Sequence, residues 1–98
     1  MRLIYHEEAF TDIRDAVDFY TTQSVRVGDR LKAAIKRSLE SIASDVGRFP
    51  VVEGEIRRCR VVGFPFDLYF AKLGDYVRIY ALHHHSREPQ YWMHRLDS

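Results

Sequence analysis

The sequence predicts an α+β fold of order β-α-α-β-β-β, an antiparallel meander with a helical hairpin packed on one face. Three observations carry that reading. Apolar residues recur at helical spacing through the first half, a short polar break divides that half in two, and the period drops to two after Glu53 and Gly54. At 98 residues the chain suits a single domain over 1–98, and a hydrophobic content of 46% is enough for one ordered core.

The elements follow in order. Arg2 to Tyr5 is short and rich in large apolar residues, and it meets Glu7 and Glu8 directly, so a strand should lead straight into a helix whose positive end those carboxylates favour. Ala9, Ile13, Ala16, Val17 and Tyr20 form the apolar stripe of that helix, with Asp12, Arg14, Asp15 and Asp18 mostly on its other side. Thr21 to Ser24 interrupts the stripe, and Ser24 is a suitable N-cap for a second helix. There Val27, Leu31, Ala34, Ile35, Leu39, Ile42 and Val46 keep helical spacing, with Gly47 as the expected stop and Pro50 beyond. So short a link makes the helices an antiparallel hairpin.

Ile56 to Val62, Phe66 to Lys72 and Tyr76 to His84 then read as three strands, the last two joined by a turn at Gly74 and Asp75. Pro65 has no N–H, so the link at Gly63 to Pro65 marks a bend, bulge or edge. The helices should cover one sheet face and leave the other partly open. Simple alternation sends Val77, Ile79 and Ala81 to the core and Arg78, Tyr80, Leu82 and His84 to the opposite side.

Composition narrows the function classes. Net charge is +1, so any polyanion footprint must be local, as at Arg57, Arg58 and Arg60. Cys59 is the only cysteine, which excludes an intrachain disulfide and a zinc site of paired cysteines. No segment approaches the roughly 20 apolar residues of a bilayer span, so a cytoplasmic protein with no membrane partner is expected.

Candidate functional residues concentrate after Pro50. Arg58 and Arg60 share one strand face and Arg57 the other, either to bind phosphate or an acidic partner or to pair with nearby carboxylates. Tyr69 and Tyr80 sit on adjacent strands, where they either stack nucleobases or pair across the sheet. Tyr91, Trp92 and Arg95 are of the types that anchor interfaces, or they pin the tail. His83, His85 and His94 raise a metal hypothesis, but no carboxylate or cysteine neighbours them in sequence, so no metal or cofactor is expected.

The GRFP end of the second helix, the arginine-bearing strand, GFPFDLYF and the closing H-x-R-x-P-x-Y-W-x-x-R run together resemble the RelE/ParE toxins of type II toxin–antitoxin modules. The likeness runs over essentially the whole chain. It is nearer the ParE branch, whose features match Arg57 or Arg58, Phe64-Pro65-Phe66, His84 or His85, Arg87 and Trp92. That resemblance implies a growth-inhibiting, plasmid-stabilisation-like toxin that binds DNA gyrase without being an enzyme and is neutralised by a cognate antitoxin. Its partner-binding residues would be Arg57, Arg58, Arg60, Tyr69, Tyr80, Arg87, Trp92 and Arg95.

The RelE branch implies the alternative, a metal-independent endoribonuclease acting on mRNA at the ribosome. Attack by a ribose 2′-hydroxyl needs a base, cationic donors for the phosphorane and an acid for the leaving oxygen. Arg58, Arg60, His84, His85, Arg87 and Tyr91 are the catalytic candidates, and Glu53 or Glu55 would join a glutamate-containing set. The chain departs from RelE in having no lysine between Lys36 and Lys72. A third possibility is a toxin-like interaction module without activity.

Overall fold

The computed structural model describes residues 1–97. Strand β1 (Arg2–Tyr5) leads into helices α1 (Glu7–Gln23) and α2 (Val25–Ser44); a 3₁₀ turn (Val46–Arg48) precedes strands β2 (Val51–Glu53), β3 (Ile56–Val61), β4 (Phe66–Leu73) and β5 (Tyr76–His84). A second 3₁₀ segment, Met93–Asp97, lies in the tail. The strands form one mixed sheet in the order β1-β5-β4-β3-β2, in which β1 runs parallel to β5 and the other pairs are antiparallel. The predicted α+β architecture is the one observed.

Local chemistry accounts for the boundaries. His6, which precedes α1, caps it: its Nδ1 accepts from the Glu8 N–H at 3.0 Å, while its own N–H donates to Ile79 O at 2.9 Å. Ser24 caps α2 as expected, its Oγ accepting from Val27 N–H at 3.3 Å. Helix α2 ends at Ser44, earlier than Gly47 suggested, because Asp45 closes it through a bond to Ser41 O and the chain tightens into the 3₁₀ turn. That turn keeps Val46 buried, so the apolar stripe outlasts the helix. Sequence reading also missed β2, whose three residues are too few to show a period. Gly74, at φ +66°, opens the two-residue β4–β5 loop as in a II′ hairpin turn.

The hairpin of α1 and α2 closes at a point where only glycine fits. A Cβ on Gly28 would lie 2.1 Å from Thr21 Oγ1 and 2.9 Å from Thr21 Cα. Below the hairpin, Leu31, Ile35 and Ile42 pack on Val61, Leu68, Phe70, Val77 and Ile79 to make the main core.

Simple alternation along β5 fails at one residue. Tyr69 pairs with Ala81 and Phe70 with Ile79, so Tyr80 is an extra residue, a β-bulge that reverses the facing of everything after it. Leu82 therefore joins the helix-side core with Val77 and Ile79, whereas Ala81 faces away with Tyr80. His84 likewise turns to the helix side, where its ring meets Phe66 edge-on at 5.0 Å.

The far sheet face is partly open, as expected, with Arg58 and Arg60 exposed on it and the remainder covered by the tail. The tail folds back so that Trp92 packs on Ile56, Ala71, Tyr80 and Ala81, with Tyr91, Met93 and Leu96 alongside. Trp92 stacks on Tyr69 with ring centres 4.6 Å apart and planes 23° apart.

The His6 cap gives stability a pH dependence. Burial, followed by the charge of Arg78, holds the imidazole below its ordinary value, so the fold prefers the neutral ring. A depressed folded pKa means this contribution is present above the ordinary histidine value of about 6.5 and is lost as pH falls below it. Melting temperature should thus fall more steeply between about pH 7 and pH 5 in the wild type than in His6→Asn, which keeps a capping acceptor without titrating. Parallel slopes in the two proteins would remove His6 from the acid response.

Candidate functional site

Two surfaces carry the residues singled out by sequence, and Tyr91 borders both. The first is a cleft of about 380 Å³ between α1 and the ends of β4 and β5. Phe19, Tyr20 and Phe66 form its apolar wall, and His84, Arg87 and Tyr91 its polar one. His84 Nδ1 accepts from Ser86 N–H at 3.0 Å, which places the proton of the neutral ring on Nε2. Arg87 is exposed and lies over the Tyr91 ring at 4.2 Å.

The base of this cleft is a polar lock centred on Asp12, and its origin is topological. Strand β1 pairs β5 only as far as Ile79, so the edge of β5 beyond that point has no strand beside it. Side chains replace the missing strand. Asp12 Oδ2 accepts from Leu82 N–H at 3.1 Å, Arg95 Nη1 donates to Tyr80 O at 2.9 Å, and Tyr91 Oη lies 3.1 Å from Leu82 O. Arg95 grips Asp12 with both Nη atoms, at 2.6 and 3.3 Å, and its Nε lies 3.5 Å from Glu8 Oε2.

Electrostatics follow from this packing. Burial works to lower the Arg95 pKa, but the hydrogen bond and charge of Asp12 outweigh it and hold the guanidinium above its ordinary value. Tyr91 is pushed up to about 12, by burial first and then by the Asp12 carboxylate. Its phenol is a structural donor, with Asp12 Oδ2 at 3.3 Å and Leu82 O at 3.1 Å as the two acceptors competing for one proton. Asp12 does not point to solvent as helix periodicity suggested. It is missed by stripe counting because it sits at the margin of the apolar face, with Ile13 and Ala16 beside it.

The second surface is the tail-side face of β3 and β4. Arg58 stands opposite Tyr69 and Arg60 opposite Asp67, and both arginines are exposed. His85 Nε2 pairs with Asp67 Oδ2 at 3.2 Å. Arg57 is on the helix side, where Nη1 donates to Phe49 O and ties β3 to the preceding turn. Tyr80, Trp92 and Arg95 are 5%, 3% and 4% exposed, so they are held within the fold. Tyr69 is half-buried under Trp92.

The nuclease candidates are consequently divided: His84, Arg87 and Tyr91 line the cleft, while Arg58, Arg60 and His85 stand on the tail-side face. The histidines of the metal hypothesis each have other contacts. His83 Nε2 lies 3.3 Å from Arg87 O, and His94 Nε2 lies 3.3 Å from Glu8 Oε2. Among the described residues no group of three or more histidines, cysteines or carboxylates is arranged to hold a metal ion, and no helix is long and apolar enough to cross a membrane.

A β-α-α-β-β-β-β order on a mixed five-stranded sheet is consistent with the RelE/ParE fold. Residues 3–89 match the family described as "ParE toxin of type II toxin-antitoxin system, parDE", and the chain belongs to that family. Toxins of this family pair with a ParD antitoxin. No individually curated protein matches the chain.

Proposed function

We propose that this ParE-family toxin stops growth by binding DNA gyrase, and that a cognate antitoxin of the ParD type neutralises it by covering the α1 cleft. The gyrase assignment rests on the resemblance to the ParE branch. The structural observation that carries a binding reading over cleavage is the tail's cover over part of the far sheet face. Tyr69 is stacked beneath Trp92, and the Tyr91 hydroxyl is committed to the Asp12 lock, so neither is presented to a ribose. Arg58 and Arg60 lie on the opposite side of the sheet from His84, so the candidate set is split into Arg87 with His84 and the Arg58–Arg60 pair with His85.

For the antitoxin, the cleft with the exposed ring of Phe19 on α1, 59% accessible, provides an apolar seat with Arg87 at its rim. For the target, Arg58, Arg60 and Arg87 are the exposed cations of the candidate set and are the proposed contacts. Induced expression should produce filamentation, and the purified protein should inhibit supercoiling by gyrase. Arg58→Ala and Arg87→Ala should each weaken that inhibition roughly tenfold, the equivalent of about 1.4 kcal/mol, with unchanged melting temperature. Cuts in ribosome-bound mRNA without an effect on gyrase would replace this reading by the endoribonuclease one. Full potency of both variants at equal abundance would remove Arg58 and Arg87 from the proposed contacts.

A further inference from the structure

Positive charge is also gathered at a place distinct from the cleft and from the tail lock. Arg37 of α2, Arg48 of the 3₁₀ turn and Arg60 of β3 line a depression of about 300 Å³ that also presents Ser38 and Ser41, and no acidic side chain lines it. All three arginines are exposed, and among the described residues none forms an ion pair. The nearest acid in register, Asp67 opposite Arg60, is bonded instead to His85. Arg48 is laid over the Phe49 ring at 4.9 Å, which fixes its head at the rim.

Three cations delivered to one depression by three elements repel one another, and an anion relieves that repulsion. The depression is open along the outer edge of β3. Strand β2 pairs only with Ile56 and Arg57, and the last bond on that side runs from Arg58 N–H to Pro50 O. Positive charge continues along this edge, because Arg58 is exposed on the same strand face as Arg60.

We propose that this arginine pocket binds the phosphodiester backbone of a nucleic acid, independently of which target the toxin inhibits. A phosphate presents oxygens in several directions and can accept from guanidinium forks on different sides, with serine hydroxyls as further donors. The line of charge from the pocket to Arg58 suits an extended polyanion better than a single free anion. The lining offers cations and hydroxyls and no element that enters a groove, so binding is to the backbone and not to sequence.

The test is fluorescence anisotropy of the full chain with a labelled mixed-sequence DNA duplex and its single strand, titrated at sodium chloride concentrations from about 50 to 200 mM. Arg37→Gln and Arg48→Gln should each weaken binding severalfold and reduce the slope of log affinity against log salt by about one. Arg14→Gln, on the exposed side of α1, should leave both quantities unchanged. Absence of binding at the lowest salt, or an equal loss in Arg14→Gln, overturns the proposal. So does displacement of DNA by inorganic phosphate at the same charge-normalised concentration, which marks a small-anion site. Equally tight, Arg37- and Arg48-dependent binding of polyglutamate overturns it in favour of an acidic protein partner. The assay contains no gyrase, so its failure and failure of the gyrase reading are distinguishable.

Discussion

Asp12→Ala lowers the unfolding free energy by about 3–5 kcal/mol, the range for removing one partner of a buried ion pair. The substitution leaves the Arg95 guanidinium, 4% exposed, without its bidentate partner. It also strips the acceptor from Leu82 N–H on a strand edge that β1 does not reach. For a domain of this size the melting temperature should fall by roughly 15–30 °C. Asp12→Asn keeps an acceptor for Leu82 and loses the charge, so its cost is intermediate. Combining Asp12→Ala with Arg95→Ala should cost less than the sum of the two, because the bidentate Asp12–Arg95 pair can be lost only once. Chemical denaturation followed by circular dichroism compares the four variants with wild type. A loss below about 1 kcal/mol in Asp12→Ala, or strict additivity in the pair, refutes the lock as described.

Trp92→Ala should be nearly as damaging, at about 3–5 kcal/mol for a large aromatic removed from a packed site. Trp92 is 3% exposed and roofs the cluster of Ile56, Ala71, Tyr80 and Ala81. Its loss would wet the Tyr69 ring and open the cluster that Trp92 covers together with Tyr91, Met93 and Leu96. Trp92→Phe should retain most of the stability. The indole N–H has no hydrogen-bond partner among the described residues, so phenylalanine sacrifices volume and stacking area but no polar contact. Denaturant midpoints for the two variants decide the matter. An alanine variant within about 1 kcal/mol of wild type would show that the tail lies on the sheet without stabilising it.

The core elements were legible because their signals are local. Leu31, Ile35 and Ile42 repeat at helical spacing and Ile56 to Val61 alternates, so a one-dimensional pattern suffices to place them. Gly74-Asp75 and Ser24 carry turn and cap chemistry within a few residues. The misses have non-local causes. The Tyr80 bulge is defined only by the register of β5 on β4, and it changed the facing of Ala81, Leu82 and His84 together. Gly28 is a packing residue only because Thr21 of the other helix arrives at that spot.

The candidate site divides along the same line. That arginines, tyrosines and histidines concentrate after Pro50 is a property of the chain, as is the resemblance that those motifs carry. Which of them meet is not. Arg95 and Asp12 are 83 residues apart, and nothing in either neighbourhood announces the other. Likewise Arg37, Arg48 and Arg60 come together only when α2 lies across the edge of β3.

By itself, then, the sequence determined the element types and their order apart from the three-residue β2, because hydrophobic period, capping and turn chemistry act over a few residues, and its motifs carried the family resemblance. Tertiary structure decided between the two roles open to Tyr91, Trp92 and Arg95: they pin the tail on part of the far sheet face, and Asp12 holds it there. The physical reason is the early end of β1: peptide groups of β5 left without a strand had to be satisfied, and the side chains of Asp12, Tyr91 and Arg95 satisfy them.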